Sequence, residues 1–184
     1  MATFGYTTMG AISWAGNIDN KIVGSIFTCP QNGTANSITA GLIVTDVATR
    51  MKCAIYRASD RVLIGQTEEV LVPRSPTVGG IVQPVWTIFN FSTPPTLYGG
   101  VQYCLVVWSY DEPYTASYIQ YDPGVGSPSD PTTWQALWFA LAYGAFPATL
   151  PSFTRENRIC SIYCDYTVTG PPQQGTLTVH AKTA

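Results

Sequence analysis

An apolar run near the middle of the chain constrains the fold more than any other feature. Residues 100–110 read Gly-Val-Gln-Tyr-Cys-Leu-Val-Val-Trp-Ser-Tyr, and β-branched and aromatic side chains dominate this run. Such side chains favour strands, and an apolar run of this length is typical of a strand that is buried on both faces. The run therefore predicts a central β-strand around which the rest of the chain packs.

Nine further segments carry the period-two alternation or the β-rich composition of strands. Gly, Pro, Asn and Asp clusters separate them at intervals of about 8–12 residues, as in all-β domains. The predicted strands are Phe4–Thr8, Lys21–Cys29, Thr34–Val44, Met51–Arg57, Val62–Gly65, Thr67–Val72, Val82–Phe91, Ala116–Tyr121 and Arg158–Thr169. Residues 134–143 fit either a strand pair or a short helix. Since helical periodicity is almost absent, the sequence predicts an all-β sandwich of two antiparallel sheets.

The alternation also predicts which face each strand turns to the core. In the second long strand Ile38, Ala40 and Leu42 share one face. Successive side chains of a strand point to opposite faces, so the side chains of residues 82–91 divide into two sets. The first face carries Val85, Thr87, Phe89 and Phe91, and the second carries Trp86, Ile88 and Asn90.

The last fifteen residues form a separate unit in the sequence. Residues 170–174, Gly-Pro-Pro-Gln-Gln, read as a linker, and residues 175–181 alternate again. Leu177, Val179 and Ala181 oppose three polar side chains, so the segment is predicted to be an amphipathic strand. Such a strand needs an edge to pair with, in the same domain or in another subunit. The chain is therefore divided into a sandwich domain at 1–169 and a linker with a strand arm at 170–184.

The surface chemistry argues against several classes of partner. Charged residues make up only 11% of the chain and the formal net charge is −2, with no cluster of Lys or Arg. Nucleic acid and anionic membrane surfaces are therefore not expected as partners. Residues 1–6 lack the basic and apolar regions of a signal peptide, and no apolar stretch is long enough to cross a membrane. A surface so poor in charge is common in extracellular and virion β-proteins.

Five cysteines leave two interpretations open. An odd number leaves at least one thiol unpaired within the chain, and no spacing suggests a zinc site. Cys160 and Cys164 are about 13 Å apart if they lie on one strand, which is too far for a mutual disulfide. We expect small buried hydrophobic side chains at all five positions. The alternative is one bridge between neighbouring strands, from Cys104 to Cys160 or to Cys164.

Four blocks of the sequence together carry a resemblance to a known group of domains. They are residues 22–29 with 33–38, residues 52–57 with 63–65, residues 86–91 with 95–103, and residues 161–166. Over residues 20–168 the chain resembles a jelly-roll β-sandwich domain, similar to carbohydrate-binding modules. Such domains recur in large extracellular bacterial and archaeal proteins and in phage structural proteins. The resemblance implies a jelly-roll sandwich, and either a structural role or glycan binding.

The segment 111–157 is crowded with aromatic residues and has little predicted regular structure, which is typical of a functional loop. Its Tyr and Trp side chains either stack on sugar rings, or form a satellite core or subunit contact. The candidate ligand or subunit contacts, which include two residues at its root, are Trp108, Tyr110, Tyr114, Tyr118, Tyr121, Trp134, Trp138 and Tyr143. A structural Ca²⁺ is a further option, and its candidate ligands are Asp111, Glu112, Asp122 and Asp130.

No catalytic constellation emerges from the sequence. His180 is the one histidine, and no Ser/His/Asp or Cys/His triad can be built around it. The sequence therefore predicts a non-enzymatic structural or interaction protein of a virion or extracellular assembly, such as a capsid decoration or tail-associated subunit. Its expected partners are copies of itself or other virion subunits, with Leu177, Val179 and Ala181 as a contact arm. A glycan-binding module is the alternative. No cofactor and no catalytic metal are expected.

Overall fold

A computed structural model describes residues 1–14, 16–127, 130, 133 and 135–170. The regular elements of these residues are β-strands, and no α-helix occurs among them. None of the described residues belongs to a helix long and apolar enough to span a bilayer. The predicted all-β class is therefore confirmed.

Seventeen strands follow one another along the described residues. In chain order they are β1 (Ala2–Gly5), β2 (Ile12–Ser13), β3 (Lys21–Thr28), β4 (Gly33–Val44), β5 (Thr49–Arg57), β6 (Leu63–Gln66), β7 (Val70–Val72), β8 (Thr77–Val78), β9 (Ile81–Val82), β10 (Val85–Asn90), β11 (Thr96–Leu97), β12 (Gln102–Ser109), β13 (Ser117–Pro123), β14 (Ala136–Ala140), β15 (Thr154–Glu156), β16 (Arg158–Cys160) and β17 (Ile162–Val168).

The first sheet is organised around β4, its longest strand. β17 and then β13 pair with one side of β4, while β10 and β11 pair with the other side. β1 adds to β17, and both β2 and β16 add to β13. Every pairing in this sheet is antiparallel. Among the described residues, β1 and β10 are thus the edge strands on either side of the central β17–β4 pair.

The second sheet has the order β15-β14-β3-β12-β5-β6, and β7 also pairs with β5. All its pairings are antiparallel as well, and β8 and β9 form a separate small hairpin. The chain crosses repeatedly between the sheets: β3, β5, β12 and β14 belong to the second, and β4, β10, β13 and β17 to the first. The two antiparallel sheets are those that the sequence predicted.

The main core lies between the two sheets and takes side chains from both. Ile38, Ala40 and Leu42 from β4 and Phe89 from β10 are buried in it, as the alternation predicted. From the second sheet Leu105 and other residues of β12 and β5 face the same core. The sandwich is therefore held by the apolar faces that the sequence pattern identified.

A second core covers the outer face of the second sheet. Cys104, Val106 and Trp108 of β12 lie in it, and residues 141–153 pack over them through Phe146 and Leu150. β12 is consequently buried on both faces between β3 and β5. The predicted central strand is confirmed, and its second cover is a loop rather than another sheet.

All five cysteines are buried free thiols. Cys104 faces the outer core, whereas Cys160 and Cys164 face the core between the sheets. The prediction of a bridge between Cys104 and either of them is wrong, because their side chains lie on opposite sides of the second sheet. The prediction of small buried side chains is confirmed.

Several predicted segments differ in detail from the structure, among them Phe4–Thr8, where the strand β1 is Ala2–Gly5, and Thr67–Val72, where β7 is Val70–Val72. Residues 82–91 contain the end of the β8–β9 hairpin and then β10, with Pro84 between them; proline cannot donate to a ladder. The predicted strand Arg158–Thr169 is divided at Ser161 into β16 and β17, which pair with different strands. Residues 134–143 contain the single strand β14, so the helical option is excluded for Ala136–Ala140.

Candidate functional site

The predicted contact residues do not form one site. Trp108, Tyr110 and Tyr143 come together on the outer face of the second sheet, with ring centroids 5.3 Å apart for Trp108–Tyr143 and 5.6 Å for Tyr110–Tyr143. Trp108 is completely buried, and its indole N–H donates to the carbonyl of Leu141 at 3.2 Å. Its ring therefore has no face open to a ligand.

This aromatic group already holds cations of its own chain. The ammonium of Lys52 lies 4.6 Å from the ring centroid of Tyr143 and 5.1 Å from that of Trp108, and the guanidinium of Arg50 lies 4.2 Å from that of Tyr110. These distances are those of cation–π contacts. Burial lowers the pKa of Lys52. The arrangement corresponds to a satellite core.

Tyr143 also links this cluster to the second sheet's edge through a hydrogen bond. Its hydroxyl donates to Oε2 of Glu69 at 2.8 Å. Burial, followed by this bond, raises the pKa of Tyr143. The hydroxyl therefore stays protonated at physiological pH and acts as a structural donor.

The remaining predicted aromatic residues are scattered. Tyr121 is buried against Trp14, and the guanidinium of Arg158 lies 4.5 Å from its ring centroid. Trp138 donates from its indole N–H to Glu156 at 2.8 Å. Tyr118 is half-buried on β13, and Tyr114 is 95% exposed at a positive φ of 66°.

Four predicted residues lie outside the described part of the chain. They are Trp134 in the aromatic segment and Leu177, Val179 and Ala181 in the arm.

The proposed Ca²⁺ ligands are not brought together. In the described residues no group of three or more His, Cys, Asp or Glu side chains is placed to hold a metal ion. Asp122 accepts instead from the hydroxyl of Tyr6 at 2.6 Å and from the N–H of Ala11 at 2.9 Å. These bonds lower the pKa of Asp122, the Tyr6 bond contributing most. Asp122 therefore fastens the N-terminal segment to β13.

Exposed apolar side chains also occur along residues 71–88, where no site was predicted. We call this part of the surface the edge surface. Its five exposed apolar side chains are Leu71, Val78, Ile81, Val85 and Ile88, with exposed fractions of 64%, 65%, 68%, 40% and 58%. Val78 and Ile81 flank Gly79 and Gly80 at the tip of the β8–β9 hairpin, where both glycines have positive φ. Exposed apolar side chains of this size are candidates for an interaction surface.

The backbone of β10 contributes an open strand edge to this surface. Phe91 donates its N–H to Asn36 on β4, while the carbonyl of Asn90 turns the other way and accepts from Glu68. Because backbone groups alternate along a strand, the N–H and C=O groups of Trp86 and Ile88 also point away from β4. No described residue hydrogen-bonds to these outward groups. β10 therefore offers unpaired donors and acceptors.

An apolar pocket adjoins this edge between the sheets. It has a volume of about 250 Å³, and Val85 and Thr87 of β10 line it together with Leu42 of β4. The chain from Val72 to Pro76 closes its other side, where the guanidinium of Arg74 is held by the carbonyl of Thr45 at 2.8 Å. The pocket thus lies beside the unpaired edge.

One feature of the sequence does indicate the edge surface. Val82–Phe91 places Trp86 and Ile88 opposite the core-facing Phe89, so both faces of this segment bear large apolar side chains. A strand at the edge of a sheet with two apolar faces exposes one of them. Which strand becomes the edge, however, depends on long-range pairing.

A polar groove crosses the outer face of the second sheet away from the aromatic cluster. Two adjoining depressions of about 400 and 440 Å³ share Gln102 and Arg155 in their lining. Thr28 and Gln135 line the first, and Oε1 of Gln135 has no hydrogen-bond partner among the described residues. That oxygen is buried, so the exposed side-chain amide of Gln102 is the group that the groove offers to a polar ligand.

The buried thiols are poor nucleophiles. Burial raises the pKa of both Cys104 and Cys160 to about 12, and it also raises the pKa of Cys29, Cys53 and Cys164. A thiol needs its thiolate form to react, so these side chains act as packing groups.

No family model matches the chain, and no curated protein matches it either.

Proposed function

We propose that this protein is a non-enzymatic structural subunit that associates with copies of itself in a virion or extracellular assembly. Capsid decoration subunits and tail-associated subunits are examples of such proteins. The edge surface is the observation that carries it. Five large apolar side chains are exposed along residues 71–88, beside an unpaired strand edge and an apolar pocket.

The chemistry of the surface supports association. Natural β-proteins usually protect an edge strand with charge, proline or a covering loop. β10 has neither a charged residue nor a proline between Val85 and Ile88, and its two exposed side chains there, Val85 and Ile88, are apolar. A partner that covered this edge would satisfy the backbone groups and bury the side chains together.

The state of the candidate nucleophiles is in keeping with a non-catalytic role. The five thiols are buried with raised pKa values, and the Tyr143 hydroxyl is committed to Glu69. Both observations support a structural role for these groups.

Light scattering of the purified protein over a range of concentrations tests the proposal. We expect a defined oligomeric mass for the wild type. Val78→Asp with Ile81→Asp should lower the mass, because charge at the hairpin tip opposes burial. Val125→Asp is the matched control, since Val125 is 92% exposed but lies away from the edge surface. A wild type that remains a 19.9 kDa monomer at every concentration would contradict self-assembly.

Glycan binding is a second candidate, and the polar groove favours it. The exposed side-chain amide of Gln102 is suited to sugar hydroxyl groups, and Gln135 lines the groove beside it. On this proposal a glycan array gives a hit that Gln102→Ala and Gln135→Ala together weaken at least tenfold. Trp108→Phe should leave the same hit unchanged, because the Trp108 ring is enclosed. An array without a hit excludes this candidate.

A further inference from the structure

We infer that the open edge of β10 and the pocket beside it receive residues 175–181 from a second copy of this chain. The inference rests on the proposed self-assembly and names the two parts that meet in it. Three independent features carry it: the free backbone groups of β10, the apolar pocket, and the distance from the pocket to the start of the arm.

The backbone supplies the first part of the site. Trp86 and Ile88 present two N–H donors and two C=O acceptors, and no described residue uses them. Adding a strand to an exposed edge is a known recognition mode in which main-chain hydrogen bonds supply affinity. The carbonyl of Asn90, the next backbone group that points outward, already accepts a hydrogen bond from Glu68. The free part of the edge is therefore short, and a short extended segment fits it.

Side chains supply the second part. In a strand added to β10, alternate side chains face the pocket and the solvent. The arm has this pattern, with Leu177 and Val179 on one face and Thr178 and His180 on the other. We place Leu177 and Val179 toward the pocket lined by Leu42 and Val85. Their burial there would fill an apolar opening, while the polar face of the arm remains in water.

Distance favours the arm of another copy. The N–H of Thr169 is fixed to the carbonyl of Asn32, next to the start of β4. The pocket lies at Leu42, ten residues farther along β4, which is ~33 Å. Crossing to the far edge of β10 adds ~10 Å sideways. Leu177 is only eight residues beyond Thr169 and reaches ~29 Å at full extension. The near end of the pocket, at Thr87 opposite Ala40, is ~28 Å away by the same spacings. The arm of the same chain therefore only just reaches it when fully extended, which favours an arm from a second copy.

The edge is tested with Ile88→Pro in the full-length chain. Proline removes the outward N–H of Ile88 and leaves the hydrogen bonds of β10 to β4 in place. We expect the oligomer to dissociate to monomers that still melt cooperatively. Thr3→Pro is the matched control. By the same alternation its N–H points away from β17 at the other edge of the sheet, and the mass should not change. Ile88→Lys gives a second edge variant if the proline variant does not fold.

The arm is tested with Val179→Asp, which should also give monomers. Mixing it with Ile88→Pro then distinguishes a second copy from the same chain. The Val179→Asp copy retains an intact edge and the Ile88→Pro copy an intact arm, so we expect pairs to form in the mixture. If either variant alone, or the mixture, behaves otherwise, this inference is overturned. A wild-type oligomer that survives both substitutions overturns it while leaving self-assembly intact, whereas a monomeric wild type rejects both.

Discussion

Trp108 lies on β12, in the core that covers the outer face of the second sheet. Its position at the root of an aromatic segment suggested a ligand contact. In the structure it is enclosed by Tyr143 and Phe146, and its N–H is satisfied by Leu141. A tryptophan side chain stabilises a core when its ring is surrounded by apolar groups and its N–H donates a hydrogen bond. The aromatic crowding of this segment therefore serves packing at this position.

Tyr6 and Asp122 form a second local device, with opposite effects on the two pKa values. Their 2.6 Å hydrogen bond lowers the pKa of the carboxyl and raises that of the phenol. The folded pKa of Asp122 is thus below its unfolded value. Its contribution to stability is present above the unfolded value and is lost as the pH falls through the folded value.

We predict that Tyr6→Phe destabilises the protein at neutral pH by about 1 kcal/mol at most, because the bond is partly exposed to solvent. The difference from the wild type should shrink as the pH falls below the ordinary carboxyl value of about 3.9. Urea unfolding across this range measures it. Tyr98→Phe, at an exposed ring, should have no pH-dependent effect. If the loss of unfolding free energy in Tyr6→Phe is the same at every pH, this role for Asp122 is contradicted.

Among the strands, β3 depends on a glycine for its approach to β12. Gly24 lies between β12 and β14 in the second sheet. A Cβ atom on Gly24 would collide with the backbone carbonyl of Leu105, which has little freedom to move. The absence of a side chain therefore permits the pairing of two central strands.

Gly24→Ala should accordingly destabilise the fold by about 1–3 kcal/mol, the usual range for an overpacked core. The free energy of unfolding in urea is the quantity to compare. Gly144→Ala provides the control, since its Cβ would meet nothing closer than 3.8 Å. Equal stability for the two variants would show that β3 and β12 can separate without cost.

At the scale of the molecule, the sandwich has a covered outer face on the second sheet and, among the described residues, unpaired backbone groups at the β10 edge. Residues 141–153 lie over the second sheet and bury Trp108 with its neighbours. On the opposite flank the first sheet ends at β10, beside the apolar side chains of the edge surface. Association through this edge would complete a sheet rather than create a new layer.

The melting temperature should therefore depend on protein concentration. Binding of a second copy stabilises the folded state by mass action, so the wild type is expected to melt at a higher temperature when it is more concentrated. Ile88→Pro should melt at a temperature that does not change with concentration. Differential scanning calorimetry over a hundredfold range of concentration makes the comparison. Parallel behaviour of the two proteins would contradict coupling between this edge and association.

Much of the fold could be predicted from the sequence, because the alternation of side chains between the two faces of a strand depends only on neighbouring residues. The alternation assigned Ile38, Ala40 and Leu42 to the core, and the apolar run of β12 identified a strand covered on both sides. The alternation could not predict that residues 158–169 are divided into two strands at Ser161. It arises because β16 pairs with β13 and β17 with β4, a choice made by distant partners.

The candidate site depended even more on tertiary structure. The sequence by itself determined the strand class, the core faces and the presence of an apolar side chain at Ile88. Only the tertiary structure decided that Trp108 is enclosed and that β10 is left at an edge with its backbone groups unpaired. The reason is that side-chain direction follows from neighbouring residues, whereas the exposure of a strand edge depends on which distant strands have already paired with it.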